Sequence, residues 1–148
     1  MGNTGSLLPV ESFELSKYMG DWYQLASNRG ESVKYTFQPH GETIRVTMSF
    51  SIRNKKVVHH GSLLSSTDPS KCQLHLQQVF LGFSSKYKHE IRKVLHQRGR
   101  YRFVWLDGPR GIILLGRKLS TSLSTQEYLR QISESLGSKL IFSSSLST

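Results

Sequence analysis

A chain of 148 residues with 36% hydrophobic and 10% aromatic side chains fits one globular domain and excludes an intrinsically disordered chain. The one cysteine excludes an internal disulfide framework, and no apolar run approaches the roughly 18 residues that a membrane-spanning helix requires. Its 20 Lys and Arg outnumber 10 Asp and Glu, and the resulting net charge of +10 favours acidic partners such as nucleic acid, anionic lipid or an acidic protein surface.

The N-terminal segment MGNTGSLLPVESFELS shows neither a basic region nor a long apolar core, so it is not expected to act as a secretory signal. The sequence therefore predicts an intracellular, cytoplasmic protein. The first six residues also fit the N-myristoylation pattern, in which Gly2 would receive an acyl chain that associates the protein with membranes. The alternative interpretation is a flexible polar leader, which we place at residues 1–12.

Apolar and polar residues alternate with a period of two over most of the chain, which predicts β-strands with one buried face. The alternation begins at residues 33–38 and 44–50, joined by the turn-forming stretch 39–42, and it continues at 57–64 and 72–77. Further strands are predicted at 86–96, 101–106 and 112–118, with a tight hairpin at 108–111. Short strands at regular spacing with turn signals between them indicate an antiparallel barrel or sandwich.

The pattern changes once, near the C-terminus, from strand to helix. Ser124 and Glu127 form a capping box, which predicts that a helix begins at Ser124. Leu129 and Ile132 mark its apolar face, and Gly137 supplies the C-terminal stop. A short final strand is predicted at 139–142 and a disordered tail at 144–148. No linker divides the chain into two domains.

Two short segments carry a resemblance to a known family. The first is a predicted helical turn at residues 15–19 followed by Gly20, Trp22 and Tyr23, and the second is the run Leu-Leu-Gly-Arg that ends at Arg117. With the strand order and the late helix, these segments make the chain resemble the lipocalins, and its pattern is similar to the bacterial-type (apolipoprotein D-like) members.

The resemblance implies an all-β fold in a single domain at residues 13–143. The fold is an eight-stranded antiparallel up-and-down barrel with one C-terminal α-helix packed outside. It also implies that Arg117 packs on the ring of Trp22, a cation–π contact of roughly 0.5–2 kcal/mol. Two features depart from the family pattern. First, the second family motif has an acid before strand seven, whereas residues 97–101 keep only the tyrosine of that motif, Tyr101. Second, the connection at 80–86 is expected to be long.

In such a barrel the inward side chains would hold one small hydrophobic or amphipathic ligand, of fatty acid or lysolipid type. Strand parity and the resemblance together imply a lining that includes Trp22, Gln24, Val33, Ile44, Phe50 and Gly61. The predicted ligand-binding residues are Ala26, Tyr35, Phe37, Val46, Met48, His59, Leu63, Cys72, Leu74, Leu76 and Ile113, with Phe80 and Phe83 at the mouth. The alternative is a barrel that its own aromatic side chains fill.

Basic residues concentrate between positions 86 and 102, where one acid, Glu90, opposes them. On two adjacent strands they would form a continuous outer patch that binds an acidic protein, nucleic acid or an anionic membrane. The alternative is an ordinary solvated face. The predicted patch comprises Lys86, Lys88, Arg92, Lys93, Arg98, Arg100 and Arg102.

The sequence offers little for catalysis or metal binding. No phosphate-binding loop, nucleophile elbow or paired-carboxylate motif occurs, so the protein is interpreted as a carrier that requires no cofactor. His59 and His60 are adjacent and would point to opposite faces of a strand, so they cannot share a metal ion. Haem bound through an inward His59, and an enzyme that uses Cys72, are the weaker alternatives.

Overall fold

The computed structural model of the chain describes residues 6–28, 32–41, 43–65, 72–80, 83–108, 111–119 and 121–142. In chain order the elements are β1 (Leu8–Pro9), a 3-10 helix (Leu15–Tyr18), β2 (Gly20–Ser27), β3 (Lys34–His40), β4 (Thr43–Ile52), β5 (Lys55–Ser65), β6 (Cys72–Phe80), β7 (Phe83–Gln97), β8 (Arg100–Gly108), β9 (Gly111–Gly116), α1 (Leu123–Ser135) and β10 (Ile141–Phe142). No helix among these residues is long and apolar enough to cross a membrane.

The eight strands from β2 to β9 close into an antiparallel barrel. Their hydrogen-bonded order is β7-β6-β5-β4-β3-β2-β9-β8, and β8 pairs with β7 to complete the circle. All these pairings are antiparallel, and strands that are adjacent in sequence are mostly adjacent in space, as expected for an up-and-down barrel. The predicted all-β barrel with one late helix is confirmed.

The alternating strand directions give the barrel two ends. We call the end at which β2 begins, at Gly20, the closed end, and it also carries the β7–β8 hairpin and Arg117. The opposite end, called the open end, carries the β4–β5 turn and the start of β9. In that turn Arg53 and Asn54 both have positive φ, 50° and 65°, which matches the twist of a two-residue hairpin.

Two hydrophobic cores lie on the two sides of the barrel wall. The inner core lies inside the barrel and includes Val104 and Leu115, which are fully buried. The outer core lies beneath the helix and includes Trp105, Leu114 and the helical Leu129, also fully buried. Strands β8 and β9 are apolar on both faces because one face meets the barrel interior and the other meets α1.

The helix begins earlier than the sequence pattern predicts. Ser122, in an extended conformation, is the N-cap, and its hydroxyl accepts a hydrogen bond from the amide of Thr125 at 3.2 Å. Ser124 already lies within the helix, and Glu127 forms an ion pair with Arg130 instead of closing a capping box. Both serines have a hydroxyl suited to the cap, so the path of the chain after β9 decides which one is used.

The segment expected to be a flexible leader is partly a strand. Leu8 and Pro9 pair with His96 and Leu95 of β7, and the amide of Val10 donates to the carbonyl of Val94. Strand β6 pairs with β7 only as far as Glu90, so beyond Glu90 it no longer covers this edge of β7. Strand β1 covers this edge, because unpaired strand edges carry unsatisfied backbone groups.

The β6–β7 connection is shorter than expected. Phe80 pairs directly with Phe83, so the loop between these two strands has two residues rather than the long connection inferred for 80–86. At the other end of the chain, the predicted last strand is limited to Ile141–Phe142, which pairs with Ser27 and Ala26 of β2.

Candidate functional site

The closed end of the barrel is built around Trp22. Its ring is fully buried, and its Nε1 donates a hydrogen bond of 2.8 Å to the carbonyl of Tyr18 in the 3-10 helix. The guanidinium carbon of Arg117 lies 3.8 Å from the centre of the Trp22 ring, as the sequence resemblance implied. Arg117 also donates hydrogen bonds to the backbone carbonyl oxygens of Lys17 (2.9 Å), Asp21 (2.9 Å) and Tyr101 (3.3 Å).

The environment of Arg117 is partly desolvated. Burial lowers the pKa of its guanidinium, while Tyr18 and Asp21 oppose that shift. The group keeps its charge at neutral pH because the ordinary pKa of arginine is far above neutrality. Gly20 has a φ of +102°, and a Cβ atom built there would lie 3.4 Å from Arg117 Nη1. The backbone conformation therefore requires a glycine, whereas the contact with Arg117 is an ordinary van der Waals distance.

An aromatic cluster fills the interior next to this floor. The ring of Tyr18 lies 4.5 Å from Phe37, 5.4 Å from Trp22 and 5.4 Å from Phe13, measured between ring centres. Phe13 in turn lies 5.6 Å from Tyr101. We call these five residues the aromatic plug. Its side chains leave the interior at the closed end filled by protein, so a ligand cannot be placed there.

Side-chain exposure rises from the closed end towards the open end. On β4 it increases from Val46, which is fully buried, to Phe50, which is partly exposed. On β9 it increases from the fully buried Leu115 to the partly exposed Ile113, and it also increases from Phe37 on β3 to Val33, just before that strand. These inward-facing apolar groups keep part of their surface exposed, whereas those beside the plug do not. They identify the open half of the barrel as the candidate functional site.

His59 is a polar group in this otherwise apolar wall. It lies near the middle of β5, pairs with Met48, and meets the ring of Phe50 edge-on at 5.2 Å between ring centres. Only 9% of the residue is exposed, and its Nδ1 atom has no hydrogen-bond partner within the part of the chain that the structure describes. Burial, and secondarily the neighbouring His60, lower the pKa of His59. The imidazole is therefore neutral at neutral pH and can both donate and accept a hydrogen bond.

Most of the predicted lining residues whose side chains the structure describes face the interior of the barrel. Tyr35 and Phe37 are almost fully buried, and their rings stack at 6.3 Å, so they extend the filled region rather than line an accessible space. The predicted lining residues that belong to the inner core, or pack beside it, are Tyr35, Phe37, Val46, Met48, His59, Leu63 and Ile113.

Ala26 does not line the barrel, contrary to the expectation from strand parity. Gln24 pairs with Leu115, but the next pairing joins Ala26 to Leu114, so Leu25 is an extra residue in β2. This bulge reverses the alternation of side chains along the strand. Ala26 therefore lies in the outer core with Leu114, beneath the helix.

Five predicted ligand-binding residues have backbones placed by the structure but side chains outside the described residues. The pairings of Leu63 with Leu74 and of Gly61 with Leu76 place β6 next to β5 in the expected register. The roles of these side chains stay predictions, and the same holds for Gly2, which lies outside the described residues. The five are Cys72, Leu74, Leu76, Phe80 and Phe83.

The basic patch expected along two strands is divided by the structure. Arg92 forms a 3.0 Å ion pair with Asp107, which neutralises the middle of the stretch, and Lys93 follows on β7. The side chains of Lys86 and Lys88 lie outside the described residues. The remaining members, at the closed end, are Arg98, Arg100 and Arg102.

Three further findings concern residues that the sequence pattern did not single out or left as alternatives. The plug residues Phe13 and Tyr18 were not predicted, because they precede the alternating strands and converge only when the 3-10 helix closes the barrel. Among the residues that the structure describes, no group of three His, Cys, Asp or Glu side chains is placed to hold a metal ion. His59 is buried and His60 exposed, in agreement with their opposite orientation.

The closed eight-stranded barrel, the Trp22–Arg117 floor and the outer helix together define a lipocalin fold. Insecticyanin from the tobacco hornworm Manduca sexta, a lipocalin, has a similar structure, with a TM-score of 0.66 over 96% of this chain and 86% of insecticyanin. The two sequences are 17% identical, so the similarity establishes the fold. No protein-family model matches the sequence, and no curated protein matches it.

Proposed function

We propose that the protein binds a small hydrophobic or amphipathic ligand, of fatty acid or lysolipid type, in the open half of its barrel. The observation that carries this proposal is the rise in exposure of inward apolar side chains, from Val46 and Leu115 at the plug to Phe50 and Ile113 near the open end. The aromatic plug limits the depth that the ligand reaches. The fold shared with insecticyanin, a lipocalin, supports the same interpretation.

The chemistry of the wall matches an acyl chain with a polar head. Each methylene group moved from water into the barrel would contribute about 0.8 kcal/mol, so a medium-length chain suffices for micromolar binding. The unpartnered Nδ1 of His59 is a ready hydrogen-bond partner for a hydroxyl or carboxyl group. A neutral imidazole offers this bond without the desolvation cost of a buried charge.

The interior favours a carrier rather than an enzyme. Among the described residues, His59 is a buried polar side chain in the apolar wall, and its Nδ1 atom is not paired with a nucleophile or an acid. Acid–base catalysis requires such a pair within hydrogen-bond distance of the reacting group. The alternative use of Cys72 as a catalytic thiol stays a separate hypothesis, and unchanged turnover in Cys72→Ser would end it.

A fluorescence titration with dansyl-labelled undecanoic acid tests the proposal. We expect a blue-shifted emission on binding and displacement by unlabelled fatty acid. Val33→Trp, which fills the open half, is expected to weaken binding at least about tenfold, since the added ring occupies the ligand volume. Val58→Trp is the matched control, because Val58 is 41% exposed, and it is expected to change the affinity less than about twofold. Absence of binding, or equal losses in both variants, would contradict the proposal.

A further inference from the structure

A second concave site lies outside the barrel, at its closed end. A crevice of about 610 Å³ there is lined by five cationic side chains, those of Lys17, Arg100, Arg102, Arg117 and Lys118. They come from the 3-10 helix, from β8 and from the segment after β9. We propose that this crevice binds the phosphate group of a small anion, independently of the ligand in the barrel.

The positive charge of the crevice is largely uncompensated. Lys17 forms an ion pair with Glu14 at 2.7 Å, but none of the other four cations has a carboxylate partner among the residues that the structure describes. Asp21 acts electrostatically on Arg117 but forms its ion pair with Lys34 at 3.5 Å, and Asp107 pairs with Arg92. Cations brought together without counter-charges repel one another, and a bound anion relieves that repulsion.

Two of the arginines are held in place before any ligand binds. Arg117 is fixed by the Trp22 ring and three backbone carbonyl oxygens, and Arg102 donates to the side-chain oxygen of Gln97 at 2.7 Å. A guanidinium carries five N–H donors, so Arg117 keeps some for a ligand after these bonds are made. Such a fixed fork suits phosphate, which accepts two parallel hydrogen bonds from arginine. Little side-chain entropy is lost on binding.

The shape of the crevice favours a small phosphate compound over a polymer. Its volume falls within the roughly 300–1,000 Å³ of small-molecule sites. A nucleic acid would need a longer basic track, and the Arg92–Asp107 ion pair interrupts the charge along β7 and β8. The phosphate group of a soluble compound and that of a lipid head share this chemistry. The crevice lies at the closed end, where Tyr101 of the aromatic plug lines it, and the proposed barrel ligand lies in the open half, so we expect the two sites to bind independently.

Isothermal titration with sodium pyrophosphate tests the site. The double variant Arg100→Gln/Lys118→Gln removes two exposed charges without touching the plug, and Lys55→Gln/Lys56→Gln removes two exposed charges at the open end. We expect a single site in the native chain and at least about tenfold weaker binding in the crevice variant. The matched control is expected to bind within about twofold of the native chain, and salt is expected to weaken all binding.

A parallel sedimentation assay uses phosphatidylcholine vesicles with and without phosphatidic acid. Binding to pyrophosphate assigns the site to a soluble phosphate compound, and binding only to phosphatidic acid vesicles assigns it to a lipid head. Binding to neither, or equal losses in the crevice and control variants, would overturn the proposal. Titration of the crevice variant with dansyl-labelled undecanoic acid is expected to be unchanged, so failure at one site is distinguishable from failure at the other.

Discussion

Arg117 lies over the ring of Trp22, with its guanidinium carbon 3.8 Å from the ring centre, and so joins the first and last strands of the barrel at one point. Trp22 belongs to β2, and Arg117 follows β9, the strand that pairs with β2. The same guanidinium ties the 3-10 helix to the barrel through the carbonyl of Lys17. The contact is therefore structural, and it closes the end of the barrel opposite the proposed ligand.

Replacing Arg117 by Met is expected to lower the free energy of unfolding by about 2–4 kcal/mol. The variant keeps much of the side-chain volume but loses the cation–π contact and the hydrogen bonds to three carbonyl oxygens. Urea unfolding followed by circular dichroism measures the change. Arg45→Met, at an exposed position on β4, is the control and is expected to change stability by less than about 0.5 kcal/mol. Similar losses in both would refute the structural role.

A buried hydrogen bond of 2.9 Å from Trp105 Nε1 to Ser133 Oγ links the helix to the barrel. Ser133→Ala would leave the indole N–H without a partner, and we expect a loss of about 1–3 kcal/mol in the free energy of unfolding. Ser135→Ala is the matched control, because Ser135 is exposed and its hydroxyl bonds only to the helix backbone. The control is expected to lie within about 0.5 kcal/mol of the native chain. Thermal unfolding of the two variants, measured side by side, tests whether the loss of stability is specific to Ser133.

The position of the helix N-cap gives a direct comparison between the sequence pattern and the structure. Ser122→Ala removes the hydroxyl that accepts from the amide of Thr125, and it is expected to cost about 1 kcal/mol. Ser124→Ala lies within the helix and is expected to cost less than about 0.3 kcal/mol, because alanine is the better helix former. If chemical unfolding ranks the two variants in the opposite order, the helix starts where the capping box predicts.

Protonation of His59 is expected to destabilise the fold. Burial lowers the pKa of His59 in the folded protein, so below the ordinary value of about 6.5 the unfolded chain binds the proton more readily. Stability is therefore complete above about pH 6.5 and falls as the pH decreases through that value. His59→Leu is expected to flatten this dependence, measured as urea midpoints at about pH 7.5 and about pH 5. The native chain, measured at the same two pH values, is the reference.

The sequence by itself determined the architecture. Alternation of apolar and polar residues predicted most of the barrel strands, because a strand with one buried face needs that period. The resemblance carried by Gly20, Trp22 and Arg117 implied the contact between Trp22 and Arg117, and the apolar face marked by Leu129 and Ile132 predicted the late helix. One sequence is enough to recognise these features, because each depends on a local pattern or on a short motif.

Tertiary structure alone decided the details of the sites. Strand parity placed Ala26 in the lining, but the bulge at Leu25 moved it to the outer core, since one extra residue reverses the orientation of the side chains that follow it in the strand. Likewise, the unpartnered Nδ1 of His59 is defined by what surrounds it rather than by its neighbours in sequence.

The basic crevice shows the same limit of sequence pattern. The run of basic residues up to Arg102 suggested a continuous patch along two strands, yet Asp107 neutralises Arg92, and the crevice cations meet others from distant segments. Lys17 and Lys118 become neighbours of Arg100 only when the barrel closes. Electrostatic interaction depends on distance in space, and the closed fold, rather than the order of the residues, sets that distance.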